Sequence, residues 1–250
     1  PDDLRKEGQS FEKKLGENID FDDVAEKVDI IYICSPNNPT GAIMTYEDLK
    51  DIVDVIIEKD LYVISDEIYS ELTYGKNHFS IAAFPGMKER TIVINGFSKS
   101  YAMTGWRLGY ATGPVNIMEQ MLKIHQYAIM CAPTTSQHAA VEALKKGDTD
   151  VAKMRETYNQ RRQYLMNCFK ELDIPCFEPF GAFYVFPNIS KYGMSSDEFA
   201  MELLKKEKVA VVPGTAFGEC GEGFLRISYA YSIENLKIAM KKIEKFIKTL

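Results

Sequence analysis

The stretch DIIYICSPNNPTGAIMTYEDLKDIVDVIIEKDLYVIS, residues 29–65, carries two apolar runs with one helical pattern between them. The runs DIIYICS (29–35) and LYVIS (61–65) have the length and composition of buried strands. Between them, Thr45 with Asp48 three residues later is the start signal of a helix. The apolar residues that follow recur with helical spacing: Leu49, Ile52, Val53, Ile56 and Ile57. A strand, a helix and a strand at this spacing predict a right-handed crossover between parallel strands.

Two more apolar runs extend this pattern towards the C-terminus. The run TIVIN (91–95) predicts a third strand, and RLGYATG (107–113) predicts a fourth. From Val115 to about Leu172 the pattern becomes helical. We therefore predict an α/β fold with a mostly parallel sheet that is flanked by helices.

A second series of elements follows the break at DIPCFEPFGAF. The runs FYVFPNI, VAVVPG and FLRISYA predict strands, SSDEFAMELLKKEK predicts a helix, and a closing helix begins at Ser232. One side of the closing helix is apolar: Leu236, Ala239, Met240, Ile243, Phe246 and Ile247. We predict a partial large domain in residues 1–150, then a long connecting helix and a smaller α+β domain in residues 151–250.

Composition limits the classes of function. The chain is 46% hydrophobic and 26% charged with a net charge of −6, so we expect no nucleic-acid partner. Its five cysteines are scattered without C-x-x-C spacing, which is typical of a reducing cytoplasm. The opening PDDLRKEGQSFEKK lacks the apolar core of a signal peptide, and no run of eighteen apolar residues occurs. We expect a cytoplasmic protein without membrane contact.

Polar residues follow the three strands that are predicted to be parallel. These residues are Asn38, Asp66, Tyr69, Ser98 and Lys99. Because the carboxyl ends of parallel strands share one edge of a sheet, where ligands of open α/β sheets bind, we expect these side chains to converge. An acid, a base and a phenol at successive strand ends predict a catalytic site.

Other catalytic motifs fit poorly. GFSKS has Ser100 where a nucleophile elbow needs glycine. Neither a P-loop nor G-x-G-x-x-G after a strand occurs, and the three histidines form no H-E-x-x-H pattern, so we expect no metal site. Chemistry centred on a lysine remains.

Four segments then carry a resemblance to a known family: SPNNPTG, YVISDEIYSELTYG, INGFSKSYAMTGWRLGYATGP and FLRISYA. In this order they resemble the class I/II aminotransferases of fold type I, which use pyridoxal 5′-phosphate (PLP), and most of all the bacterial aspartate and aromatic group. The resemblance implies transfer of an amino group between an L-amino acid of aspartate or aromatic type and a 2-oxo acid. It also implies a homodimer.

The resemblance assigns roles around the cofactor. Lys99 matches the lysine that bonds to the cofactor aldehyde and moves the proton. Asp66 matches the carboxylate that keeps the ring nitrogen protonated, and Tyr69 and Asn38 match the pair at the 3′ oxygen.

It also assigns the anion-binding groups. Arg107 and Ser98 match phosphate ligands, although many relatives carry the serine two positions earlier, where this chain has Gly96. Arg226 matches the substrate α-carboxylate clamp, brought from the second domain, with Asn38 beside the substrate.

Three expectations remain open at this point. The similarity begins at about Asp29 after only 28 residues, so we expect the chain to lack about the first third of the family's length, to expose apolar surface and to bind PLP weakly by itself. The same lysine and aspartate would serve a PLP-dependent β-lyase of this fold. A non-catalytic ligand-sensing or structural module is the third alternative.

Overall fold

The computed structural model describes residues 28–250, which divide into two compact units. The N-terminal unit contains residues 28–37 and Ile43–Arg155. The C-terminal unit contains Asn38–Ala42 and Glu156–Leu250.

The domain bounds 1–150 and 151–250 remain a prediction. The expectation about a signal peptide concerns residues that lie outside the described range.

The N-terminal unit is built on a four-stranded sheet. Its elements are β1 (Ile30–Cys34), α1 (Tyr46–Glu58), β2 (Tyr62–Asp66), β3 (Thr91–Gly96), α2 (Phe97–Ser100), β4 (Gly109–Thr112), α3 (Val115–Ala128) and α4 (Thr134–Lys146). The strand order is β1-β2-β3-β4, and β1, β2 and β3 are parallel as predicted. The sheet therefore has the mostly parallel character expected from the sequence.

Strand β4 runs antiparallel to β3, with Val93 opposite Thr112. The connection between them, residues 97–108, contains only the four-residue α2 and the 3-10 helix Thr104–Trp106. A parallel return requires a crossover that spans the whole strand length, usually on a full helix. The chain therefore reverses direction at this edge.

Helix α1 forms for the reasons that the sequence indicates. The Thr45 side chain accepts a hydrogen bond from the Asp48 N–H at 3.2 Å, and Asp48 Oδ2 accepts one from the Thr45 N–H at 2.7 Å. Its apolar face packs on one side of the sheet in a buried cluster: Ile33, Leu49, Val53, Ile56, Leu61, Val63, Ile81, Phe84 and Met87. Burial of this face holds β1, α1 and β2 together.

Among the described residues, few side chains cover the other face of the sheet. Its exposed side chains are Ile30, Tyr32, Tyr62 and Ile94. Helix α3 has no buried residue within the described part of the chain. This exposed apolar surface agrees with the expectation from the sequence.

The helical stretch predicted from Val115 to Leu172 is confirmed. Helices α3 and α4 are followed by the 24-residue helix α5 (Asp148–Glu171). Among the described residues, no helix combines the length and apolar character needed to cross a bilayer.

The C-terminal unit is a small α+β arrangement. Its further elements are β5 (Tyr184–Val185), α6 (Ser196–Glu207), β6 (Val212–Pro213), β7 (Leu225–Ser228) and α7 (Ile233–Ile247). The sheet order is β5-β7-β6, with both pairs antiparallel. Strands β5 and β6 are much shorter than the apolar runs that predict them.

The core of this unit lies between helices α6 and α7. Ser232 caps α7, as predicted, by accepting a hydrogen bond from the Asn235 N–H at 3.3 Å. The rings of Phe199 and Phe246 meet edge to face with centroids 5.1 Å apart. The apolar side of α7 buries Leu236, Met240, Ile243 and Phe246. This packing supports β7, the strand that carries Arg226.

Candidate active site

In the N-terminal unit, the ends of β2 and β3 bring an acid, a phenol and a lysine to one edge. Asp66 is the last residue of β2 and pairs with Ile94 of β3. Lys99 lies in α2, which begins directly after β3, and its Nζ lies 5.8 Å from the centroid of the Tyr69 ring. The structure therefore brings together Tyr69 and Lys99 beside the strand end that carries Asp66.

The Asp66 carboxylate is held from two directions. Oδ1 accepts a hydrogen bond from the Ile68 N–H at 3.1 Å, and Oδ2 accepts one from the Tyr32 hydroxyl at 2.8 Å. A carboxylate has about four lone-pair sites, so both oxygens can accept a further hydrogen bond. Burial, followed by the bond to Asp66, raises the pKa of Tyr32, so this phenol remains a donor.

The turn after β2 fixes Tyr69. The Leu72 N–H donates to the Tyr69 carbonyl at 2.9 Å, and the Ser70 N–H donates to the Glu67 carbonyl at 2.9 Å. Asn95 Nδ2 of β3 donates to Ser70 Oγ at 3.1 Å, which ties the turn to the neighbouring strand. Tyr69 is buried, so its ring has a fixed position for contact with Lys99.

Glu67, beside Asp66, forms a buried polar cluster on the other side of the strand. Its carboxylate accepts hydrogen bonds from Ser65 Oγ at 2.9 Å and Ser80 Oγ at 2.6 Å, and His78 Nε2 lies 3.0 Å away. Burial alone would raise the pKa of this carboxyl, but the bonds from His78, Ser80 and Ser65 outweigh burial and lower it. The cluster ties the segment around His78 to the end of β2.

The loop after Lys99 brings a cation and a hydroxyl residue into one network. Thr104 Oγ1 donates to the Ser98 carbonyl at 2.8 Å, and Arg107 Nη1 donates to the Thr104 carbonyl at 2.9 Å. Arg107 has φ of 53°, in the left-handed region that arginine rarely adopts. Such a conformation persists only where surrounding contacts hold it, and it is common at ligand sites.

In the C-terminal unit, Arg226 of β7 binds Asn38. Arg226 Nη1 donates to Asn38 Oδ1 at 3.0 Å. The guanidinium carbon lies 4.6 Å from the ring centroid of Tyr184 and 4.9 Å from that of Phe217. Within the part of the chain that the structure describes, the buried Nε of Arg226 has no hydrogen-bond partner. A buried donor without an acceptor is costly, so an anionic ligand here would be favourable.

Residues Asn38–Ala42 are held on the C-terminal unit by Gly41. The Gly41 carbonyl accepts hydrogen bonds from the Phe180 N–H at 3.0 Å and the Gly181 N–H at 2.9 Å. Gly41 has φ of +71°, and a Cβ atom there would lie 2.4 Å from Pro179 Cβ. Only glycine allows this close approach, which places Asn38 beside Arg226.

Known proteins resemble this chain over about 90% of its length. The family model described as aminotransferase class I and II matches residues 9–243. The chain belongs to this aminotransferase family. The protein YugH of Bacillus subtilis is 54% identical to this family member over 224 residues, which are 90% of this chain and 58% of YugH. The aspartate aminotransferase of Pyrococcus abyssi is 46% identical over 228 residues, which are 90% of this chain and 59% of that protein.

Comparison with a solved structure shows that this family member has the fold of an aminotransferase. The aromatic aminotransferase of Pyrococcus horikoshii superposes with a TM-score of 0.88 and 44% identity, over 95% of this chain and 65% of that one. The fold class predicted from the sequence is therefore confirmed. The chain spans less than two thirds of the length of each of these three proteins.

Class I and II aminotransferases use PLP, and the groups described above fit it. The Asp66 carboxylate has unused lone pairs that could accept a hydrogen bond from a protonated ring nitrogen. The Lys99 amine could react with an aldehyde. A guanidinium and a hydroxyl in one loop suit a phosphate. The residues present thus match the cofactor's chemical groups.

Sequence reasoning missed Tyr32, Tyr184, Phe217 and the role of Gly41. For Tyr32 a signal existed, because parallel strands in register place Tyr32 on the same face as Asp66. The partners of Arg226 are distant in sequence, so no local pattern indicates them.

Proposed function

We propose that this protein is a PLP-dependent aminotransferase that moves an amino group between an L-amino acid, of aspartate or aromatic type, and a 2-oxo acid. The observation that carries the proposal is the position of Lys99 Nζ, 5.8 Å from the Tyr69 ring centroid and beside the strand end of Asp66, in a chain of this family. The preference for aspartate or aromatic amino acids is part of this proposal. It is supported by two of the relatives described above, which are named an aspartate and an aromatic aminotransferase.

The cofactor, when bound, supplies an aldehyde for the amino group and a ring that withdraws electrons from the carbon that loses its proton. Asp66 would keep the ring nitrogen protonated through a charge-assisted hydrogen bond. Lys99 Nζ would provide the amine that condenses with the aldehyde, with loss of water, and once released would accept the substrate proton. Tyr69 and Asn38 would donate hydrogen bonds to the 3′ oxygen of the ring.

The anionic groups bind to the two arginines. Arg107, with Ser98, binds the phosphate, since its guanidinium belongs to the loop that contains Lys99. Arg226 binds the substrate carboxylate, which supplies the acceptor that its buried Nε lacks among the described residues. Asn38 orients Arg226 and lies next to the substrate.

A homodimer and a cytoplasmic location belong to the same proposal. The five cysteines are scattered along the chain without C-x-x-C spacing, and this supports a reducing compartment. Light scattering of the purified protein measures the oligomeric state.

Trapping with borohydride tests the covalent role of Lys99. Reduction of the protein incubated with PLP, followed by digestion and mass spectrometry, is expected to place the adduct on the peptide that contains Lys99. Lys99→Ala abolishes this adduct, whereas the exposed control Lys88→Ala retains it. An adduct on another peptide, or none at all, refutes the proposal.

Product analysis then tests the reaction class. An aminotransferase produces glutamate from 2-oxoglutarate when aspartate or an aromatic amino acid is the donor. Pyruvate, ammonia and a thiol formed from a sulfur amino acid without a 2-oxo acid would indicate a β-lyase instead. This chain by itself is expected to turn over slowly or not at all, so the sensor alternative is tested on the full-length protein, where binding of amino acids without any product would indicate a sensor.

A further inference from the structure

The hydrogen bond between Tyr32 and Asp66 lies outside the roles assigned so far. The Tyr32 hydroxyl donates to Asp66 Oδ2 at 2.8 Å, across 34 residues of sequence. The other carboxylate oxygen, Asp66 Oδ1, accepts a hydrogen bond from the backbone N–H of Ile68. Each oxygen of the carboxylate is thus held by one donor.

The strand register produces this contact. In the parallel pair β1 and β2, Tyr32 lies opposite Ile64, and Cys34 lies opposite Asp66. Side chains two residues apart on a strand share a face, so Tyr32 and Asp66 are diagonal neighbours on one face of the sheet. Diagonal neighbours are within reach of a long aromatic side chain.

We infer that Tyr32 is a positioning residue that orients the Asp66 carboxylate towards the ring nitrogen of the cofactor. Tyr32 occupies one lone pair of Oδ2 and leaves the other available. With Ile68 on Oδ1, it prevents rotation of the carboxylate. This inference rests on the proposed function, because it gives Asp66 the role of ligand to the ring nitrogen.

The protonation state of Tyr32 supports this role. Burial and the hydrogen bond to Asp66 raise the pKa of the phenol above its ordinary value. The phenol is therefore protonated at neutral pH and can donate to this bond. A permanent donor restrains the carboxylate without becoming a second charge.

Tyr62 provides a matched control on the same face. It lies two residues before Ile64 on β2 and is exposed, as Tyr32 is. Its hydroxyl makes no hydrogen bond to any described residue. Tyr62→Phe removes the same atom as Tyr32→Phe without removing a bond to Asp66.

The first experiment measures the bond without the cofactor. In protein labelled with ¹³C at tyrosine Cζ, Tyr32→Phe assigns the Tyr32 resonance. Asp66→Ala is expected to shift that resonance and to leave the resonance of Tyr62 in place. An unchanged Tyr32 resonance overturns the inference.

The second experiment measures the consequence for the cofactor. Tyr32→Phe is expected to raise the Kd for PLP about tenfold, the effect of one hydrogen bond to a charged group. It is also expected to change the visible circular dichroism of bound PLP, which reports the orientation of the ring. Tyr62→Phe leaves both quantities at their wild-type values, and unfolding curves of both variants control for loss of the fold.

The outcomes separate this inference from the proposed function. If wild-type protein binds no PLP, the proposed function fails, and the labelled tyrosine alone decides whether Tyr32 holds Asp66. If wild-type protein and Tyr32→Phe bind PLP with equal affinity and equal dichroism, the positioning role is refuted while the proposed function stands. If both tyrosine variants weaken binding equally, the effect is general to this face and the inference is also refuted.

Discussion

Two adjacent carboxylates at the end of β2 have opposite environments. Asp66 points to the exposed face of the sheet, where Tyr32 holds it, whereas Glu67 is only 5% exposed and accepts bonds from Ser65 and Ser80. The alternation of side chains along a strand causes this difference. The proposed ligand to the cofactor and a structural anchor are therefore consecutive in the chain.

Glu67 predicts a specific pH dependence of stability. Because hydrogen bonds lower its pKa in the folded state, its stabilisation is complete above the pKa of the unfolded chain, roughly 4.3, and is lost as pH falls through the folded value. Glu67→Gln should reduce the free energy of unfolding by about 2 kcal/mol at pH 7. The difference from wild type should shrink below about pH 4. Urea unfolding at several pH values measures this, and a difference that does not vary with pH would contradict it.

The rings beside Arg226 predict an effect on carboxylate binding. Phe217 and Tyr184 lie near the guanidinium, and removing one ring should loosen it. Phe217→Leu should weaken binding of a small unreactive carboxylate such as acetate about fivefold. Phe199 meets Phe246 between α6 and α7, so Phe199→Leu is the control for loss of a ring elsewhere in this unit. Calorimetry gives both Kd values, and equal values would contradict a role for Phe217.

At the scale of elements, the sequence predicted what is local. The capping box at Thr45 is contained within one segment and is confirmed, and Leu49, Val53 and Ile56 of the predicted apolar stripe are buried, whereas Ile57 is 41% exposed. The direction of β4 depends on whether residues 97–108 can cross the sheet, which a strand pattern does not reveal. The length of β6 is set by its pairing with β7, in which only Val212 and Pro213 take part. Because β7 is distant in sequence, no local pattern indicates this length.

The same argument applies to the candidate site. Lys99, Asp66 and Tyr69 follow strand ends, where a local pattern indicates a ligand site. The bond from Tyr32 to Asp66 depends on strand register, and the rings at Arg226 depend on how distant segments fold together. The sequence therefore indicated the candidate ligands but not the side chains that contact them.

Because Gly41 lies close to Pro179, we expect substitution of Gly41 by alanine to reduce the free energy of unfolding strongly. Gly41 and Gly75 have nearly equal φ values, +71° and +72°, but a Cβ atom would clash with Pro179 only at Gly41 and would meet nothing within 4 Å at Gly75. Gly75→Ala should cost about 1 kcal/mol of unfolding free energy, from its backbone conformation alone. Gly41→Ala should cost about 3 kcal/mol. Equal losses in urea unfolding would show that the contact with Pro179 is unimportant.

At the scale of the whole molecule, exposed apolar side chains are concentrated in the N-terminal unit. They include residues of the sheet and of α3, where Tyr127 is 94% exposed. Soluble proteins rarely expose large contiguous apolar patches, and such patches commonly mark interfaces.

This surface predicts concentration-dependent association. The double substitution of Ile124 and Tyr127 by lysine should weaken self-association of the protein roughly tenfold, with little change in Tm. Met201 and Leu204, at the same spacing on α6 and also exposed, provide the control pair of lysine substitutions. Sedimentation equilibrium measures the association constants. Equal behaviour of the two double variants would exclude α3 as the associating surface.

Residues Asn38–Ala42 belong to the C-terminal unit although they follow β1 by only a few positions. A chimera with a related enzyme that exchanges only residues 156–250 would separate Gly41 from its partners Phe180 and Gly181 and Asn38 from Arg226. A functional exchange must transplant both segments together, in two crossovers. Recombination between homologous genes at a single point after Arg155 would therefore join mismatched halves, and natural variation in these two segments should be inherited jointly.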